Sequence, residues 1–113
     1  MKELGCECGM EDCFPGCGCE ILSFLGKKWS AYIIMHLMQS NSLRFNEFSS
    51  LMYKLGPKTL SKRLKEAEEL KLVERIVKPT KPVSISYLLT DKGDKIGNVL
   101  KEMKILIHSW TNE

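Results

Sequence analysis

Five cysteines fall within fourteen residues near the start of the chain: Cys6, Cys8, Cys13, Cys17 and Cys19, in the pattern C-x-C-x4-C-x3-C-x-C. Thiols at this density admit three readings. They can sense redox change by forming disulfides, within or between subunits, and a place at a helix N-terminus would favour the Cys19 thiolate. The acidic neighbours Glu7, Glu11, Asp12 and Glu20 oppose thiolate formation. Four thiolates can instead hold Zn²⁺ or an iron–sulfur cluster, and acidic surroundings then help. The C-x-C pairs depart from the C-x2-C spacing of common zinc sites and ferredoxins. The third reading is an inert tail. The odd count leaves one thiol beyond any four-thiolate site or pair of disulfides.

The second chemistry-bearing set is cationic. Residues 54–65 carry Lys54, Lys58, Lys62, Arg63 and Lys65 with no acid among them, and Glu66, Glu68 and Glu69 follow together. Thr59 and Ser61 add hydroxyls able to bond phosphate or a base edge. Lysines neutralise phosphate as point charges. A guanidinium reads guanine in bidentate fashion more readily, and Arg63 is the arginine on this segment. Arg75, Lys78 and Lys81 lie further on, and Arg44 precedes it. These groups together suit a nucleic-acid backbone. A solvated lysine surface and a lysine-guarded edge hairpin are the bland alternatives; a metal- or cluster-binding protein, or a protein-interaction adaptor that docks through this part of the chain, are the functional ones.

Elements must hold these residues in place. Leu60, Leu64, Ala67 and Leu70 or Lys71 share one face of a helix over 57–71, and Lys58, Lys62, Lys65 and Glu69 share the opposite face. Pro57 suits the first helical position. Val73–Lys78 and Ser84–Leu89 read as strands, with Pro79 and Pro82 stiffening the link. Ile85, Tyr87 and Leu89 should share one side. Thr90 is a good N-cap for a last helix reaching about Trp110. Upstream, Ile21, Leu22, Phe24 and Leu25 form a short apolar face that Gly26 ends. Trp29, Ile33 and Leu37 give a second helix ending near Ser40-Asn41. Residues 43–45 could be a short strand, and Asn46–Met52 a third helix. A basic helix followed at once by a two-stranded ribbon is the layout of a winged helix-turn-helix. The fold class is therefore α+β, mainly α.

The 113 residues suit one domain, 20–113, behind a Cys-rich leader, 1–19. Residues 1–20 hold one basic and five acidic residues, a net of −4. Residues 21–113 hold sixteen basic and nine acidic, a net of +7. A basic domain favours polyanions. No stretch matches a membrane span or a secretory signal, so a cytoplasmic protein with no membrane partner is expected. A Gly-rich phosphate loop, a Ser-His-Asp set and a convincing acid pair are all missing, and His36 and His108 are lone histidines. No enzyme is expected.

The segments LGKKW (25–29), LRFNEF (43–48), KTLSKRLKEAEE (58–69), LVERIV (72–77) and SYLLTDKG (86–93) resemble, in order and distance, the HxlR-type transcriptional regulators, winged-helix proteins related to the MarR type. The likeness spans roughly residues 20 to 110. Ala67 stands where a larger aliphatic is usual, and Gly56 where Ser often precedes Pro. The resemblance implies a homodimer on a palindromic operator in double-stranded DNA. The recognition helix 57–71 would lie in the major groove and the wing 73–89 on the flanking backbone or minor groove. It also implies pairing through the first and last helices, here Ile21, Leu22 and Leu25 with Ile96, Val99, Leu100, Met103, Leu106, Ile107 and Trp110. Some members of the type sense oxidants through a Cys before the first helix. That position falls near Pro15 or Gly16, with Cys17 closest and Cys13 and Cys19 beside it.

Overall fold

The computed structural model describes residues 19–111. Cys6, Cys8, Cys13 and Cys17 lie outside the described residues. The chain order is α1 (Cys19–Leu25), α2 (Ser30–Ser40), β1 (Ser42–Arg44), α3 (Phe45–Leu51), α4 (Pro57–Glu69), β2 (Val73–Lys78), β3 (Ser84–Leu89) and α5 (Asp91–Thr111). Both ribbon strands take the bounds their alternation implies. The sheet is antiparallel in the order β1-β3-β2. Leu43 and Arg75 both lie opposite Tyr87, so these three share a face.

The core lies where the helices converge on the sheet. Phe24, Ile33, Ile34 and Leu37 meet Phe48 and then Leu60, Leu64 and Ala67 from α4, with Leu72 and Val73 closing it. Tyr87 meets the Phe48 ring edge-on at 6.3 Å between centroids. Tyr87 and Leu89 pack against this cluster, whereas Ile85 pairs with Val77 towards the tip.

Local chemistry sets the element ends. Trp29 is the residue before α2 rather than its first turn, because it holds a left-handed conformation with φ 80°. Glu47 Oε1 accepts the Arg44 N–H at 2.7 Å, starting α3 at Phe45, one residue earlier than expected. The end of α4 at Glu69 is a Schellman motif. The Leu72 N–H reaches the Ala67 carbonyl and the Lys71 N–H reaches that of Glu68, each at 3.0 Å. Lys71 takes the left-handed position at φ 65°, where glycine is usual. The helix therefore stops before Lys71.

Thr90 caps α5 as expected, its Oγ1 accepting the Gly93 N–H at 3.1 Å and donating to the Lys71 carbonyl at 2.6 Å. The ends of α4 and α5 are thereby tied together. A Cβ on Gly93 would sit 2.0 Å from the Leu72 carbonyl oxygen. Only glycine lets α5 leave the sheet at this angle.

Leu100, expected at a dimer contact, belongs instead to the intramolecular core, because it lies on the α5 face that packs on α2. Ile96, Ile21 and Leu25 are half-buried against the same core. Beyond Leu100, residues 101–111 are all exposed. Among the described residues, no helix is long and apolar enough to cross a membrane.

Replacing Gly93 with Ala should cost about 1–3 kcal/mol or more, the range for overfilling a packed contact. Urea unfolding measures this, and an unchanged midpoint would contradict the close approach.

Candidate nucleic-acid interface

The basic helix is α4, and two apolar turns seat it. Leu60 and Ala67 are fully buried and Leu64 is 1% exposed. Gly56 precedes the helix in extended conformation and Pro57 opens it. The opposite face presents Lys58, Ser61, Lys62 and Lys65, all exposed, and Thr59 is half-buried at its edge. Neither of the two ion pairs among the described residues involves Lys58, Lys62 or Lys65. Their charge is therefore left to solvent or to an external polyanion.

Arg63 departs from expectation. Its side chain is only 16% exposed. Nη1 donates to Glu66 Oε1 at 2.9 Å, and Nε donates to the Lys28 carbonyl at 3.3 Å. The guanidinium is thus turned into the domain, and in this structure it is not presented as a base reader. Its helical position, between the lysine face and the buried stripe, explains this: it falls against the junction of α1 and α2.

The ribbon carries Arg75, Lys78 and Lys81, all exposed. They do not share one face. Arg75 lies opposite Tyr87, while Lys78 lies opposite Ser84 and Arg44 opposite Ser86, on the other side. Lys81 is in the connection, where the Thr80 hydroxyl donates to the Pro82 carbonyl at 2.8 Å. The structure therefore groups Lys58, Lys62 and Lys65 on one helix face and distributes the other cations along the sheet.

Glu66, not foreseen as a functional residue, receives Lys27 Nζ on Oε2 at 2.6 Å as well as Arg63. Burial raises its pKa, but hydrogen bonds and charge from Lys27 and Arg63 outweigh that, and the net shift is below the ordinary carboxylate value. The Arg63–Glu66 spacing of three could have signalled part of this set. The partner Lys27, 39 residues away, could not be read from spacing. Cys19, the first residue of α1, borders a groove with Ser23, Lys27, Glu66 and Leu70. Among the described residues, no group of three or more His, Cys, Asp or Glu could hold a metal ion. On α2, His36 has its pKa lowered by burial and then by Lys104.

The far half of α5 carries large apolar side chains that are uncovered. Val99 is 62% exposed, Met103 46%, Leu106 52%, Ile107 47% and Trp110 59%, and Leu22 on α1 is 68% exposed. At about 100° per residue, Val99, Met103, Leu106 and Trp110 form one stripe, turned away from the face bearing Leu100.

A helix seated by its apolar face in a small core, with its cationic face outward and a two-stranded wing beside it, defines a helix-turn-helix transcriptional regulator of the winged type. Residues 24–113 match the HxlR-like helix-turn-helix family, and the chain belongs to that family. It is 40% identical over 91 residues to the HTH-type transcriptional regulator YodB of Bacillus subtilis (strain 168), covering 80% of this chain and 77% of that one. The structure of diamide-treated YodB from B. subtilis has a TM-score of 0.70 at 34% identity, covering 87% of this chain and 95% of the chain in that structure. The redox regulator HypR in its reduced form has a TM-score of 0.73 at 28% identity, covering 79% and 87%. The family and these relatives are regulators, not enzymes.

The Glu66 shift fixes the sign of a pH effect. A carboxyl whose pKa is lowered by folding adds stability above its ordinary value, about 4.5, and that contribution is lost as pH falls through the lowered value. Wild type should be more stable than Glu66→Gln at pH 7, and the difference should vanish in acid. Urea midpoints across pH measure this; a constant difference would contradict the ion pair.

Proposed function

We propose that the protein is a homodimeric, sequence-specific DNA-binding regulator in which α4 enters the major groove and the β2–β3 wing lies on the flanking backbone or minor groove. The observation that carries this reading is the exposed Lys58–Lys62–Lys65 face backed by buried Leu60, Leu64 and Ala67. Thr59 and Ser61 are the hydroxyl contacts, and Arg44, Arg75, Lys78 and Lys81 the supporting cations. With Arg63 turned inward, phosphate neutralisation dominates the grip. Apolar stripes on two copies of α5 cover one another, together with Leu22 of α1, because solvent exposure of so many large side chains is unfavourable. Two-fold pairing then presents two α4 helices to half-sites about one DNA turn apart, which suits a palindromic operator.

The leader cysteines supply control in this reading. Support comes from relatives solved in several chemical states: YodB reduced, diamide-treated and quinone-bound, and HypR reduced and oxidised. In this chain, two thiols among Cys6, Cys8, Cys13, Cys17 and Cys19 would lose two protons and two electrons to an oxidant such as diamide and form one disulfide. A second reading, Zn²⁺ or an iron–sulfur cluster on four of these thiolates, rests on the density of the C-x-C pairs.

Replacing Lys58, Lys62 and Lys65 with Ala, with Arg63 intact, should weaken binding to the protein's own promoter. It should also flatten the log–log salt dependence by roughly 2–3, since each phosphate contact contributes about 0.9. Unchanged gel shifts and slope would overturn the assignment of α4. Diamide should change promoter affinity of the wild type and leave a variant with all five cysteines replaced by Ser unaffected. An equal response of both proteins would remove the leader from the mechanism, and stoichiometric zinc or iron on elemental analysis would favour the metal reading.

A further inference from the structure

Glu66 ties α4 to the α1–α2 junction at the edge of a groove that both elements line. One oxygen takes Lys27 from the α1–α2 junction at 2.6 Å and the other takes Arg63 of α4 at 2.9 Å. Arg63 returns to the same junction through the Lys28 carbonyl. The result is a closed loop of contacts: Lys27 to Glu66, Glu66 to Arg63, Arg63 to Lys28. Arg63 and Glu66 are one turn apart on α4, so the loop grips α4 just past the Lys58–Lys62 face.

The junction it holds is strained. Trp29 carries a bulky side chain at φ 80°, a conformation L-residues rarely adopt. The next residue, Ser30, is fully buried, and among the described residues its Oγ has no hydrogen-bond partner. Neither feature stabilises the observed junction, and backbone strain of this kind persists only where surrounding contacts enforce it. Lys28 lies over the Trp29 ring at 5.3 Å, and the loop through Glu66 fixes the carbonyl between them. On the other side of the junction, α1 borders the groove with Cys19, Ser23 and Phe24 facing Glu66 and Leu70.

We infer that Glu66 is a positioning residue for DNA binding: by bridging Lys27 and Arg63 it sets the attitude of α4 against the α1–α2 junction and passes any displacement of α1 to the recognition helix. The bridge is half-exposed at Lys27, and ion pairs of this exposure are weak. It can therefore open without unfolding the domain. This deepens the DNA-binding reading above and rests on it for its consequence, though not for the coupling itself.

The sign of one substitution separates positioning from plain electrostatics. Glu66→Gln removes an acid beside a polyanion site, so charge alone would tighten promoter binding. Loss of positioning does the opposite. Promoter affinity is measured by fluorescence anisotropy for wild type, Glu66→Gln, Lys27→Met and the double variant, each checked for folding by circular dichroism. Each single variant is expected to weaken binding about 5-fold or more, the lower range of inter-site couplings, and the double variant to be no worse than the singles. Tighter binding by Glu66→Gln, or additive effects, would overturn the inference. Amide hydrogen exchange on the DNA-free protein reads the coupling separately. Lys27→Met should raise exchange across residues 61–67 as well as 26–30. Unchanged exchange in α4 would overturn it even if promoter binding fails for other reasons, and if the wild type does not bind its promoter, the exchange result decides.

Discussion

Burial of Leu60, Leu64 and Ala67 is the contact on which the rest of this structure depends. A helix of 13 residues is marginal alone. Its apolar stripe gives it a place, and at helical spacing the stripe turns Lys58, Lys62 and Lys65 outward. Everything around α4 serves that seating. Pro57 and Gly56 start it, the Schellman turn at Lys71 ends it, and Leu72 runs directly into the wing. Thr90 and Gly93 then bring α5 back against that same turn, so α4, the wing and the last helix meet at one point.

Much of this was legible in the sequence because its determinants are local. The bounds of β2 and β3 follow from alternation and flanking Pro79 and Pro82, and the α4 stripe and the Thr90 cap follow from spacing. What could not be read depends on distant partners. Arg63 has the residue type of a base reader, yet Glu66 and the Lys28 carbonyl, the latter 35 positions away, turn it inward. Leu100 fits the α5 apolar rhythm as well as Val99 does, and only the packing of α2 assigns it to the core. The left-handed Trp29 lies inside a good helical pattern and has no sequence signal. Four of the five cysteines fall outside the described residues, so their chemistry rests on the family and on experiment.

The molecule thus carries two surfaces of opposite character. The α4 and wing surface is cationic. The outer α5 surface is apolar, and its exposed Met103, Leu106 and Trp110 are unlike a finished exterior. In the proposed dimer, pairing through the second would make the first two-fold, adding recognition through spacing and symmetry to a lysine grip of limited base selectivity. The short α1, with Cys19 at its start, follows directly on the cysteine leader in sequence and borders the groove that Glu66 also lines.

In the proposed complex, two α4 helices grip DNA one helical turn apart. Hydroxyl-radical footprinting of the purified protein on its own promoter tests it most directly. Two protected regions on one face of the duplex, centred about 34–36 Å apart and related by two-fold symmetry, are the expected result. A single protected region, or none at concentrations where the protein is dimeric, would contradict it.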